Sequence, residues 1–378
     1  MVPTRDGAST FELCGIAEDA ARTRREDGEI GGGLCIFRTH SFNLAVCLAM
    51  TWATKRVAVT GAGGFIGSHL AEALVGAGAE VTAVVRYNSR TDDGNLRYLD
   101  ADVRNALRIQ RIDLADVDAA RQALGGAEVI FHLAAFVGIP YSYANPHDAV
   151  SNNVLSTLNV LNVARDSGLA KLVQTSTSEV YGSAKHVPMS ETHPLQPQSP
   201  YSASKIATDH IALSYHHSFG LPVAVVRPFN TFGPRQSARA VIPTVIAQAL
   251  AGTDIKIGAT TTTRDFVYVA DTVRGFMLAG ASPSSVGEVI NIGTGRETSI
   301  DDAIRVIAGV VGQDVHLVRD ERRMRPEASE VSRLCADIAK AERLLGFHPD
   351  VSFEEGIRRT VAWMADHRDA YSPSEYTT

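Results

Sequence analysis

The chain has 378 residues, 45% hydrophobic and 21% charged, with a formal net charge of −6. This is the composition of a globular protein, long enough for one large α/β domain and a smaller lobe. It argues against nucleic acid or an anionic membrane surface as a general partner, because no long basic block is present, and no apolar run reaches the roughly 18 residues of a spanning helix.

Residues 1–54 mix charge clusters with Gly31-Gly32-Gly33 and show no sustained period, so they are set apart as an N-terminal extension of unknown role. The apolar stretch Leu44–Met50 is too short to span a bilayer, and Glu12, Glu18, Asp19, Glu26 and Asp27 speak against a signal peptide. Cys14, Cys35, Cys47 and Cys335 show neither paired nor metal-ligand spacing, so no disulfide framework and no metal is expected, and a cytoplasmic location fits.

From Lys55 the pattern changes. Val57–Thr60 reads as a strand and Ser68–Gly78 as a helix with Leu70, Leu74 and Val75 on one face. Glu80–Arg86, the run ending at Arg111-Ile112, and Val129–Ala134 read as further strands. A long helix through Val154–Asp166 follows, then strands at Lys171–Ser176 and Pro222–Arg227. Near-continuous apolar strands alternating with helices predict a parallel sheet covered on both faces. The expected class is α/β, a Rossmann-type doubly wound sheet. Residues 55–230 would form the dinucleotide-binding domain, and 231–378 mainly a smaller substrate lobe interleaved with the last strands.

Between the first strand and its helix lies Thr60-Gly-Ala-Gly-Gly-Phe-Ile-Gly67. Glycine at 61, 64 and 67 suits a tight turn, close approach of backbone to a pyrophosphate, and close packing of helix on strand. The N–H groups of Phe65, Ile66 and Gly67 would then meet the anion. At the end of the second strand, Arg86, Asn88, Ser89 and Arg90 stand where an enzyme preferring NAD usually carries an acid; arginine there suits a ribose 2′-phosphate. Surface charge is the competing reading, so NAD and NADP both remain. Asp113 and Leu114 are placed near the adenine edge, and Ala134-Ala135 offers small side chains beneath the dinucleotide.

Tyr201-Ser-Ala-Ser-Lys205 follows Pro200. At a spacing of four residues on a helix, phenol and ammonium share one face, and the ammonium is expected to draw the phenol's pKa toward working pH. Upstream, Thr177, Ser178 and Glu179 follow an apolar strand, at the sheet edge where such folds place their chemistry. Thr177 offers a hydroxyl to a substrate oxygen, and Glu179 is a carboxylate in an otherwise uncharged stretch. His132, at the end of the strand Val129–Phe131, reads as a packed structural residue.

The glycine loop, the Thr-Ser-Glu after a strand and Tyr201-x-x-x-Lys205 resemble the extended short-chain dehydrogenase/reductases, specifically the NAD(P)-dependent nucleotide-sugar epimerases and dehydratases. The resemblance runs from Lys55 to about Met364. Arg86–Arg90, Arg227–Arg239 and Arg325-Pro-Glu look like the 4,6-dehydratases of nucleotide-linked N-acetylglucosamine. It implies that Tyr201 deprotonates the hydroxyl on sugar carbon 4, Lys205 holds Tyr201 and the nicotinamide ribose, Thr177 polarises that hydroxyl, and Glu179 removes the proton from carbon 5. The product would be a 4-keto-6-deoxy sugar nucleotide, the cofactor staying tightly bound and regenerated each turnover. Asn230, Arg239, Arg264 and Arg325 would grip the nucleotide end, and a homodimer is implied.

One departure matters. Ser178 stands where dTDP-glucose dehydratases carry an aspartate, as in the GDP-mannose dehydratases. UDP-glucuronate decarboxylases share the Thr-Ser-Glu, so a decarboxylase or a 4-epimerase on the same fold is the alternative.

Overall fold

The sheet is built from short apolar runs. They form β1 (Arg56–Thr60), β2 (Glu80–Arg86), β3 (Arg108–Ile112), β4 (Val129–His132), β5 (Lys171–Thr175), β6 (Val223–Pro228) and β7 (Val289–Ile292). The computed structural model describes residues 50–324 and 326–371. Among these, the seven strands make one sheet in the order β7-β6-β5-β4-β1-β2-β3. All pairings are parallel, with Val57 opposite both Val81 and Val129. Every residue of β4 and β6 is buried, which is why these strands read as continuous apolar runs rather than alternating ones.

Helices cover both faces. α1 (Phe65–Gly76) and α5 (Val269–Ala281) pack together on one. α2 (Val117–Leu124), α3 (Pro146–Asp166) and α4 (Pro200–Phe219) lie on the other, around a core of Ile130, Val160, Leu161, Leu172 and Val223. α1 begins three residues before the predicted start because Gly64, extended at φ −77 and ψ 179, is its N-cap. α4 starts where it must: Ser199 and Ser202 form a capping box, Pro200 takes the first turn, and Gly220 in the left-handed region ends the helix.

The chain order reverses between β1 and β4, so the loops leaving these strands diverge and open a crevice. Beyond β6 the chain leaves the sheet and returns for β7, which pairs with β6. Among the described residues, three two-stranded ribbons lie outside the main sheet, one of them Asn230–Phe232 paired with Phe266–Tyr268. Just before β1, Trp52 is buried and rests on Phe131 with ring centroids 5.6 Å apart. Among the described residues, no helix is long and apolar enough to cross a membrane.

Candidate active site

A cleft of about 1220 Å³ follows the C-terminal ends of the strands and continues between them and the ribbon segments. Its floor is the glycine loop. Gly61 has φ +71, and a Cβ there would meet the Ala134 nitrogen at 2.8 Å; a Cβ on Gly67 would stand 2.2 Å from the Gly61 carbonyl oxygen. No side chain caps α1 and no acid sits in its first turn, so the N–H groups at Phe65 and Ile66 remain available to an anion at the cleft. Gly64, Ala134 and Ala135 complete this lining.

At the end of β2, Arg86 lines the cleft with its guanidinium 4.8 Å from the centre of the Phe136 ring, which stacks in turn on Tyr141. Asn88 lines it too and holds its own loop, accepting from the backbone N–H groups of Arg90 and Asp92. Ser89 and Arg90 are both exposed at the loop tip, outside the lining. Asp113 and Leu114 lie at the far end of the cleft, after β3.

The chemical groups converge where β5 meets α4. Thr177 caps the short helical turn Ser178–Tyr181 by accepting from the Glu179 N–H, and its hydroxyl hydrogen-bonds Tyr201. Tyr201 and Lys205 are 5% and 4% exposed, so both reach the cleft from an otherwise buried helix face. Ser178 is buried and Glu179 half-buried, each lining the cleft. Burial brings Lys205 down to about 8, with Asp209 opposing the fall. It also pushes the Tyr201 phenol up, and the negative charge of Glu179 and Asp209 adds to this while the Thr177 hydrogen bond resists it. Burial is thus the largest single effect on the phenol, set against the pull expected of the Lys205 ammonium. His132 takes no part. It is buried between the hydroxyls of Thr60 and Thr157, at 2.7 and 3.1 Å.

On the opposite wall, Asn230 lines the cleft, and its Oδ1 is buried with no hydrogen-bond partner among the described residues. Arg239 is exposed at the cleft with its Nε held by Ser237. Arg264 also lines the cleft, but its guanidinium is engaged by the Thr263 carbonyl and by Glu330. Arg325 lies outside the described residues, as do Cys14, Cys35 and Cys47. Among the described residues, no group of three potential metal ligands occurs.

Residues 58–360 match the model of the GDP-mannose 4,6-dehydratase family. The chain belongs to that family. It is 36% identical over 327 residues to a dTDP-glucose 4,6-dehydratase of Streptomyces griseus, covering 85% of this chain and 97% of the relative. A dTDP-glucose 4,6-dehydratase from Streptomyces venezuelae, solved with NAD and TYD bound, superposes with a TM-score of 0.76 at 33% identity, over 84% of this chain and 99% of that one. An epimerase from Methanothermobacter thermautotrophicus gives a TM-score of 0.80 at 28% identity, over 87% and 98%. The chain is thus an enzyme of the GDP-mannose 4,6-dehydratase family, whose fold is shared by dehydratases and epimerases.

Several groups at this dehydratase-type site are not singled out by sequence reasoning. Phe136 and Tyr141 form a stacked wall over the cleft, and Gln236 and Arg323 line its far side. Beneath the helix face lie Asp209 and Arg227, paired at 3.0 Å. For Asp209 a signal exists: it continues the four-residue spacing of Tyr201 and Lys205. For the others no local pattern does, because they come from separate strands, short helices and loops that only the fold brings together.

Proposed function

We propose that this protein is a nucleotide-sugar 4,6-dehydratase, acting on UDP- or GDP-linked N-acetylglucosamine or a related hexose to give a 4-keto-6-deoxy sugar nucleotide. The observation that carries this is Glu179: a half-buried carboxylate on the cleft, close enough to Tyr201 to raise its pKa. A bare 4-epimerase needs no base at carbon 5.

The residues present fit a dinucleotide. The two glycines leave a cradle that a Cβ would fill, and the uncapped start of α1 suits the pyrophosphate. Gly61, Gly64, Phe65, Ile66 and Gly67 would hold the phosphates, Asp113 and Leu114 the adenosine end, and Arg86 a ribose 2′-phosphate if the cofactor is NADP rather than NAD. A nicotinamide bound there would supply reversible hydride exchange, linking oxidation at carbon 4 to reduction at carbon 6.

Tyr201 accepts the proton of the carbon 4 hydroxyl, the Lys205 ammonium and the positive ring of a bound nicotinamide countering the burial that otherwise keeps its phenol protonated, while the Thr177 hydroxyl orients that oxygen. Lys205 holds the ribose beside them. The resulting ketone acidifies carbon 5, whose proton Glu179 takes. With Ser178 in place of an acid, the Glu179 carboxyl passes that proton to the carbon 6 hydroxyl, which departs as water; Glu179 then takes a proton from solvent and gives it to carbon 5, and the proton held by Tyr201 is released to solvent to reset the site. Asn230 and Arg239 bind the nucleotide end, Arg239 the diphosphate by charge and Asn230 a hydroxyl or N–H donor of the ligand through its unpaired oxygen. Arg264 acts by shaping the wall with Glu330. Residues 55–230 act as the dinucleotide domain and 231–378 mainly as the sugar-nucleotide lobe of a cytoplasmic homodimer.

The test is incubation of purified protein with UDP-, GDP- and dTDP-linked glucose, mannose, N-acetylglucosamine and glucuronate, with products read by mass. Loss of one water is expected. Loss of carbon dioxide would establish a decarboxylase instead, and an unchanged mass with altered stereochemistry an epimerase.

A further inference from the structure

The buried groups behind the catalytic helix form a set of their own. Asp209 lies one turn beyond Lys205, on the face that carries Tyr201, and is 1% exposed. Its Oδ2 accepts from the Ser176 hydroxyl at 2.7 Å, and from Arg227 Nε and Nη2 at 3.1 and 3.0 Å. Its Oδ1 is buried and has no hydrogen-bond partner among the described residues. Arg227 is tied further by donating to the Tyr181 hydroxyl at 3.0 Å, and that hydroxyl donates to Asn291 at 2.7 Å. Both Ser176 and Lys205 line the cleft, so this network reaches from the interior of the sheet to the reacting groups.

We propose that Asp209 is a positioning residue that keeps Lys205 an ammonium ion at the cleft, its own carboxylate being held in place by Arg227 and Ser176. The proposal rests on the dehydratase reading only in giving that ammonium a use.

Geometry alone brings the groups together. A residue four positions along a helix faces the same side, and all three, Tyr201, Lys205 and Asp209, are buried. An ammonium in such a place loses its hydration and sheds its proton unless a carboxylate compensates. The groups facing the set are Ser176, Thr177 and Glu179 from the end of β5, Arg227 from β6, Tyr181 from the short helical turn and His132 from β4. His132 is held down by burial first and by the Lys205 charge second. Glu179 and Asp209 act on Tyr201; for Lys205, Asp209 is the group that resists the loss of its proton. Burial, the largest effect, leaves the Asp209 carboxyl above its ordinary range, while Arg227, Ser176 and Lys205 pull against it. Protonating it would leave a guanidinium and an ammonium buried without their counterion, which costs more than ionising the carboxyl.

The experiment is a nuclear magnetic resonance titration of protein labelled with carbon-13 at lysine Cε, with no sugar nucleotide added. The Lys205 signal is identified by its absence from Lys205→Met. In the unsubstituted protein Lys205 should titrate at about 8 or above. In Asp209→Asn it should titrate lower by about one pH unit or more, a roughly tenfold change in the ammonium-to-amine ratio. Asp209→Glu should recover most of that shift. If Asp209→Asn does not fold, Asp209→Asn/Arg227→Gln removes both buried charges together and should show the same shift. An unmoved Lys205 titration in whichever of these variants folds, or a Lys205 that is already an amine below neutrality in the unsubstituted protein, overturns the proposal. A lowered melting temperature with an unmoved titration would make Asp209 merely structural. Failure to convert any sugar nucleotide would defeat the dehydratase reading while leaving this titration to decide on Asp209.

Discussion

At the scale of single residues, the separation of roles between Tyr201 and Glu179 makes a sharp prediction. Glu179→Gln leaves the Tyr201–Lys205 pair in place, so oxidation at carbon 4 should still be seen as the near-ultraviolet absorbance of reduced nicotinamide. Water loss should fall by about 10²–10⁴-fold, the usual worth of a positioned base. Full turnover would remove Glu179 from the mechanism. His132 predicts in the other direction, toward stability. Burial first, and the neighbouring Lys205 charge second, bring it from 6.5 to about 3. The unfolded chain therefore binds a proton that the native protein refuses. Stability is complete above 6.5 and is lost as pH falls from there toward about 3, by about 1.4 kcal/mol per pH unit for this one group. His69, brought to about 4 by burial and by Arg235, adds to the same slope. Urea midpoints of the unsubstituted protein and His132→Gln, compared at about pH 7 and about pH 5, should show the smaller acid loss in the variant.

At the scale of elements, the glycine turn and α1 were legible because each demands a residue type. A Cβ on Gly67 would overlap the Gly61 carbonyl, whereas one on Gly76, at the far end of the same helix, would meet nothing within 4 Å. Gly67→Ala should therefore weaken dinucleotide binding about tenfold or more by displacing α1, while Gly76→Ala should leave it unchanged and stabilise the fold by about 0.5–1 kcal/mol. Calorimetric titration with NAD and NADP separates the two. The central strands of the main sheet were legible for a related reason: burial on both faces favours apolar residues, as in Val129–Phe131 of β4 and Val223–Val226 of β6. The short ribbons after β6 were not. Asn230–Phe232 has three residues, too few for any period, and its pairing with Phe266–Tyr268 is set by tertiary packing. Within the candidate site, Tyr201, Lys205 and Thr177–Glu179 carried local spacing. Phe136, Tyr141 and Arg323 reach the cleft from loops and short segments, and only the fold brings them there.

At the scale of the whole molecule, two boundaries near the N-terminus can be told apart. The family match runs over residues 58–360, and the relatives are covered almost entirely, which places the shared catalytic body beyond the first fifty or so residues. The sequence pattern sets the boundary at Lys55. Packing sets it earlier: Trp52 is 1% exposed, its ring meets Phe131 behind β4, and the Thr54 N–H donates to the Gly78 carbonyl at 2.9 Å. Gly280 on α5 is glycine for the same reason, since a Cβ there would stand 3.0 Å from the Trp52 ring and 2.6 Å from that of Phe131. A chain beginning at Met50 should therefore melt with the full-length protein and turn over at the same rate. One beginning at Lys55 loses the indole and leaves a hole between α5 and β4, so it should be less stable by about 3–5 kcal/mol, as should Trp52→Ala in the full chain. Urea unfolding of the four proteins decides the matter: equal midpoints for the Lys55 and Met50 chains would show that the indole contributes nothing, and a large loss on removing residues 1–49 would show that the extension adds to stability.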